Sequence, residues 1–384
     1  MKIFIILISL FSSRLLWAYP HYIGHGYPSC MNCHYNPFGG GTVNDYGRAV
    51  SATALSADHF YPSSWNNEKI AYHSGFLFRP PTQKWVRTQI NYRGFNLIRN
   101  PGSSDAEKKE WITMQLDGRA VIKFGERDQL LFSAGLSYTP KPGSPAPGVK
   151  DKSDIRSREY YVGFRPTPSF GIYAGLMDKV YGIRVVEHIA YSRTYPQVTQ
   201  NDQTHGIAFH YLSSEWEAGA HLFLGNLSQE EDIRMKGFSG QVEKTFGSIH
   251  RVGASFMKSE NDYLSLTAYS GQLRMSLKDG ASFQGELGQV HKQSANGVVD
   301  VTSRYALLQT YLKPFRGVYF LTNIEYIKSD IESDEYTMRW GPALQYMPIQ
   351  RTEFRLDLYN TRNFNPNTSV KDTWLLLLQT HFWL

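Results

Sequence analysis

The fold predicted by this sequence is all-β: a closed transmembrane barrel of about sixteen antiparallel strands, with a short loop-rich segment ahead of it. Three observations predict it. From about residue 83 apolar and polar residues alternate with period two in stretches near ten residues long. The connections between those stretches mostly alternate between tight and long. The composition is rich in aromatics (25 Tyr, 22 Phe) but only 19% charged, below the roughly 25% of average soluble domains. A barrel needs apolar side chains on only one face of each strand, with aromatic girdles at the interfaces. Mean hydropathy is negative, which excludes a helical membrane protein. The formal charge of +6 is not gathered into a basic run, so no nucleic-acid partner is expected.

The strands are expected at 83–96, 110–124, 127–140, 154–165, 169–177, 204–212, 215–225, 233–245, 248–258, 262–275, 280–292, 301–312, 316–328, 335–347, 351–361 and 372–384. In the second, Ile112, Met114, Leu116, Gly118, Ala120 and Ile122 form one face, and Thr113, Gln115, Asp117, Arg119 and Lys123 the other. Phe354, Leu356 and Leu358 alternate in the same way with Glu353, Arg355, Asp357 and Tyr359. Apolar out and polar in is the pattern of a membrane barrel with a wet lumen. A soluble sandwich has the opposite sense, and periodicity alone does not separate the two; a leader segment, strand length and the final strand favour the barrel. That strand places Trp374, Leu376, Leu378, Thr380, Phe382 and Leu384 on one face. Gly125-Glu126, Ser213-Ser214 and Phe246-Gly247 are tight turns, whereas 97–109, 141–153, 178–203 and 362–371 are long loops. Segment 68–79 is also strand-like, but a seventeenth strand would begin on the wrong side of the membrane. Residues 66–82 are therefore expected to be an extended connector.

At the other end of the chain, Met1-Lys2, the apolar stretch Ile3 to Phe11 and Trp17-Ala18 before Tyr19 have the layout of a secretory signal, residues 1–18. The chain has two cysteines, both in Cys30-Met31-Asn32-Cys33-His34. Two thiols three positions apart, followed at once by a histidine, form the attachment pattern of a c-type haem. Each thiol can bond one haem vinyl, and His34 can reach the iron. A disulfide, a thioredoxin-like redox pair and a zinc site are the alternatives. The redox pair lacks its βαβ context, and zinc would need further ligands such as His21 or His25. Met31 lies between the thioethers and cannot fold across the ring, and the next methionine is Met114. The expected sixth ligand is therefore a histidine, His25 or His59; an open position is the other arrangement. The run Gly39-Gly40-Gly41 suits close backbone approach to a porphyrin, and Arg48 is the candidate partner of a propionate. The expected segment is 19–65, the connector 66–82 and the barrel 83–384.

A leader, one C-x-x-C-H segment and a porin-like barrel in one chain resemble the fused monohaem cytochrome–porin family, whose best known members are outer-membrane iron(II)-oxidising cytochromes. The likeness extends to Gly26-Tyr27-Pro28-Ser29 before the motif, Tyr35-Asn36-Pro37 after it, and Asn44-Asp45-Tyr46-Gly47-Arg48. The stretch before Cys30 and the Gly39–Gly41 run depart from the iron oxidisers. The resemblance implies one covalent haem c on Cys30 and Cys33 with His34 as proximal ligand. It also implies a bacterial outer-membrane location, with the haem segment in the periplasm or the lumen. The expected function is electron transfer between an external donor, Fe(II) or another, and a periplasmic cytochrome or other carrier, with iron(II) oxidation as the one enzymatic activity in view. Acidic clusters at Glu230-Glu231-Asp232 and at Asp330, Glu332, Asp334 and Glu335 fall on expected external loops, where they could gather cations or simply be solvated. A porin or transport barrel with a haem-bearing sensor or docking segment is the alternative. A sheath around a separate multihaem cytochrome is a third, and it wants more strands than sixteen.

Overall fold

A computed structural model describes residues 21–81, 83–102, 107–138, 155–187, 189–247, 249–368 and 370–384. The expected signal segment lies outside these residues. Seventeen β segments follow one another along the chain: β1 (Val86–Arg99), β2 (Lys108–Phe124), β3 (Leu130–Tyr138), β4 (Ile155–Arg156), β5 (Tyr160–Thr167), β6 (Phe170–Met177), β7 (Thr204–Leu212), β8 (Trp216–Phe223), β9 (Lys236–Phe246), β10 (His250–Glu260), β11 (Leu264–Ser276), β12 (Ser282–Ser294), β13 (Asp300–Phe315), β14 (Val318–Lys328), β15 (Tyr336–Tyr346), β16 (Thr352–Phe364) and β17 (Lys371–Trp383). Both β4 and β5 pair with β3 and occupy one position in the wall, so the wall has sixteen strands. Counting β4 and β5 as one, every strand pairs antiparallel with its sequence neighbours, and β17 returns to β1 in the register Asn91↔Trp383 to Arg99↔Leu375. The sheet is a closed barrel with no free edge. All sixteen expected spans overlap an observed strand, and 204–212 coincides with β7.

The alternation has the membrane sense. Along β14, Phe320 and Ile324 are exposed on the outside, while Tyr319, Leu321, Asn323 and Glu325 are buried inside. Leu116, Phe132, Val162, Leu222, Phe256, Leu287 and Leu344 extend this apolar outer surface around the wall. A continuous belt of this kind is what lipid solvates. Among the described residues no helix is long and apolar enough to cross a membrane. Most of the tight turns lie at one end, where β1 begins and β17 finishes: Val86 pairs with Ile122 beside the 125–129 turn, and Ile90 N donates to Leu384 O; the short β10–β11 turn is at the other end.

Two pieces of chain fill the lumen. The first is the segment ahead of β1, built from short helices as its glycines and prolines require. Asp45–Val50 is α-helical and runs directly into π-helical Ser51–Leu55; Asn44 caps it by accepting from Gly47 N. This segment sits at the tight-turn end. Ala57 N donates to Met347 O at 2.8 Å, Arg316 reaches Ser56 O and Ala52 O, Arg351 Nε reaches Ser74 O, and Arg87 pairs with Asp45 at 2.6 Å. The connector is not extended as expected. Asn66 caps a helix at Asn67–Tyr72, with Glu68 in its first turn where the helix dipole favours it.

The second piece is the long loop 178–203, which turns inward. Backbone N–H groups of Gly182, Ile183 and Tyr191 donate to Ser255, Glu286 and Glu325, all on the inner wall. Arg355 and Gln309 hold Glu187, and Arg339 donates to Ile189 O. Charged side chains buried in the lumen need partners, and this loop supplies some of them.

Leu287 lies near mid-length of β12 on the lipid side. Leu287→Arg should lower folding stability in vesicles by about 2–4 kcal/mol, read by urea titration; an unchanged midpoint would contradict the membrane sense of the wall.

Candidate cofactor site

A single helical turn sets up the cysteine motif. Ser29 caps Cys30–Asn32 by accepting from Met31 N, and both Cys33 N and His34 N donate to Cys30 O. Positions i and i+3 of a 3₁₀ turn nearly eclipse, so the two thiols fall on one side. Asn44 clamps the turn: its Nδ2 donates to Met31 O and Asn32 O, and its N–H donates to Cys33 O at 2.8 Å. Helix Asp45–Val50 presses so closely that a Cβ on Gly47 would stand 2.4 Å from Cys33 O. Both cysteines are free thiols.

Cys30, Cys33 and His34 line one cavity, with a non-atom space of about 1460 Å³ that includes its opening to solvent. Gly39, Gly40 and Gly41 form part of its floor, all with positive φ (85°, 77° and 65°). A side chain there would be strained and would collide with Arg184 at Gly40 and Glu159 at Gly41. Tyr22, Leu55, Val185, Val186, Met347 and Trp383 supply apolar surface. The inward loop contributes Arg184 and Arg193; the wall contributes Arg93, Arg119, Arg158, Glu159, Glu353 and His381.

The break between β4 and β5 has a purpose at this site. In an unbroken strand Arg158 and Glu159 would face opposite sides. With 157–159 released from the ladder both are buried inward and both line the cavity. Glu159 accepts from Asn36 Nδ2 and Ser133 Oγ at 3.1 Å each, fixing the segment to the wall.

Burial sets the protonation states. It pushes the Cys30 thiol up to about 11, with Glu217 adding and Arg274 and Arg184 opposing, and the Cys33 thiol up to about 12, with Cys30 adding. It pulls the His34 imidazole down to about 4, helped by Arg184. The thiols are held protonated and the imidazole neutral, the form in which a histidine ligates a metal. Five arginines (Arg93, Arg119, Arg158, Arg184, Arg193) and three carboxylates (Glu159, Asp178, Glu353) line the cavity; behind them buried Asp117 pairs with Arg119 at 2.9 Å and faces Arg158 at 3.6 Å, which leaves five arginines against four carboxylates. Arg93 Nε, Arg158 Nε and Arg184 Nη1 are buried without a hydrogen-bond partner. Together they ask for an anionic group. Among the described residues no three His, Cys, Asp or Glu side chains converge as a metal-ion site, so the zinc alternative gains no support.

The remaining sequence candidates lie elsewhere. Arg48 donates to Ala71 O and Ser74 Oγ and faces Asp45 at 3.6 Å, tying two helices of the segment together. His25 packs against Tyr22 and Tyr319 beside the β11–β12 turn. His59 meets the Tyr346 hydroxyl at 2.9 Å near the surface. None of the three is among the cavity-lining residues. The cavity arginines, Met347 and His381 went unforeseen. Alternation does signal part of the set: Arg119 falls on the polar face of its strand, and His381 on the face opposite Phe382.

Burial lowers the His25 pKa to about 3, with Lys313 adding. The undocked segment would titrate near 6.5 and so binds more protons over that interval. Docking should thus be strongest above about pH 6.5 and weaken as pH falls toward 3. Amide exchange in residues 21–81, corrected for intrinsic rates, should rise from pH 7.5 to pH 5. His25→Gln should reduce that rise, and an identical rise in the variant would contradict the assignment.

Comparison with known proteins gives the fold. No family model and no curated protein matches the chain. Among solved structures, a loop L8 deletion mutant of OmpT, an outer membrane protein of Vibrio cholerae, is similar with TM-score 0.62 at 10% identity, covering 78% of this chain and 99% of that one. An anion-selective porin from Comamonas acidovorans gives 0.59 at 11% identity, with 78% and 99% covered. The outer membrane channel DcaP of Acinetobacter baumannii gives 0.56 at 9%, with 78% and 97% covered. This chain has the closed antiparallel barrel fold of these porins and channels.

Proposed function

We propose that this chain is an outer-membrane electron conduit that carries one covalent haem c inside a porin-like barrel. The observation that carries the reading is the single cavity in which both thiols, His34, three adjacent glycines and five arginines meet. A haem has two vinyl groups for two thiols, an iron for an imidazole and two carboxylates for the unpartnered guanidinium nitrogens. Cys30 and Cys33 would anchor it through thioethers, and His34 would ligate the iron. Arg93, Arg158 and Arg184 would take the propionates in charge-assisted hydrogen bonds, and Gly39–Gly41 would let backbone lie against the ring. When bound, the group supplies a one-electron iron couple tuned by ligand, burial and local hydrogen bonds.

The surrounding chain does the rest. The segment 21–81 occupies the tight-turn mouth, taken as periplasmic because barrels keep their short turns there. The loop 178–203 covers the cavity from the other side. Between them they narrow the lumen, while a hydrocarbon layer of about 30 Å insulates the two compartments. Electrons would enter from an external donor, Fe(II) or another reductant, and leave to a periplasmic cytochrome or comparable carrier. Glu230–Asp232 and Asp330–Glu335 lie on loops at the end away from the tight turns, where an external cation would arrive.

A solute channel is the second reading, favoured by the channel and porin descriptions of the structural neighbours. The inward loop and the docked segment weigh against an open pore.

Protein made in a host that matures c-type cytochromes should stain for haem peroxidase activity on denaturing gels and show a reduced-minus-oxidised haem spectrum. In Cys30→Ala combined with Cys33→Ala the stain should fall to background while the barrel still inserts. A wild-type protein that inserts without stain would overturn the conduit and leave the channel.

A further inference from the structure

We infer that Met347, at the end of a barrel strand, is the sixth ligand of the iron, so that the segment and the wall each supply one axial ligand. The inference rests on the haem reading above and deepens it.

Apart from the two cysteines, the cavity-lining side chains that offer a nitrogen or sulfur able to ligate iron are His34, His381 and Met347. Met347 is 2% exposed and directly follows β15. Its backbone is pinned on both sides: its N–H donates to Gly317 O at 2.7 Å, and its carbonyl accepts from Ala57 N at 2.8 Å. Its side chain belongs to an apolar cluster with Tyr22, Cys33, Leu55, Tyr319 and Ala343. His34 meets the backbone of Gly40 and Gly41 and lies in the field of Arg184 and Arg119. The two donors come from different parts of the fold, His34 from the segment ahead of β1 and Met347 from the end of β15, and Met347 shares its cluster with one of the anchoring cysteines.

His381 is the competitor, and its ring is already engaged. Nε2 lies 2.8 Å from Asn91 Oδ1, while Nδ1 lies 3.3 Å from Arg93 Nη2 and 3.5 Å from Glu353. Ligation through either nitrogen would give up a wall contact and leave a buried polar atom without a partner. A thioether is neutral, soft and without hydrogen-bond obligations, so Met347 ligates without breaking anything. A methionine–histidine pair also raises the potential relative to two histidines, which suits a group that must accept electrons from outside.

Full-length protein should be prepared from a c-type-maturing host, with haem staining on denaturing gels read separately from ligation. Ferric wild-type protein should show a sulfur-to-iron charge-transfer band and a low-spin spectrum. Met347→Leu, similar in volume, should remain stained but lose that band and become high-spin. Met347→His should return to low spin with a bis-imidazole signature and a potential below wild type, a rescue that a packing role would not give. His381→Gln should keep the wild-type band. A stained wild type without the sulfur band, a Met347→Leu protein that retains it, or loss of ligation in His381→Gln alone would overturn Met347 as ligand. Absence of stain in wild type would instead overturn the haem reading beneath it.

Discussion

Everything in this molecule depends on the closure of β17 onto β1. A closed wall leaves no unpaired edge, and its outer face is largely apolar, so most of the charged and amide side chains of the strands point inward. The interior becomes a dense field of charges that must be matched. Glu286, Glu325, Arg339 and Arg355 are each buried, and each finds its partner partly in loop 178–203 or in a neighbouring strand. The same inward field holds the segment ahead of β1, through Arg87, Arg316, Arg351 and Glu159. A segment of about sixty residues cannot build a sizeable core by itself. Inside the barrel it borrows one.

The cavity is a joint product of three parts that are remote in sequence. The segment brings two thiols, an imidazole and a flexible glycine floor. The loop brings Arg184 and Arg193, and the wall brings Arg93, Arg119, Arg158 and apolar surface. No part holds a site by itself. The interruption between β4 and β5 shows the wall bending to this end, since it alone lets the adjacent Arg158 and Glu159 share one side.

The strands were legible because membrane and lumen impose opposite demands on successive residues, and period two survives any reshuffling of the details. The sixteen spans follow from that pattern, as does the exclusion of 68–79 from the wall. The cysteine turn was legible because its chemistry is local. What lay hidden depends on distance. Loop 178–203 has no periodicity, so its inward course is fixed only by wall residues such as Ser255 and Glu325. Arg48 was the nearest arginine in sequence to the motif, yet it bonds inside its own segment. His25 and His59 were weighed as ligands because they are near in sequence. Met347 was invisible for the opposite reason: more than three hundred residues separate it from Cys33, and only barrel closure brings them into one cluster.

The central claim is that electrons cross this barrel and solutes do not. The direct measurement embeds the full-length protein in liposomes holding an internal redox dye and supplies a membrane-impermeant reductant outside, with ionic conductance recorded on the same preparation. The account predicts dye reduction in wild type, its loss in His34→Ala, and conductance near the protein-free level. Ion currents of an open pore without dye reduction would contradict it.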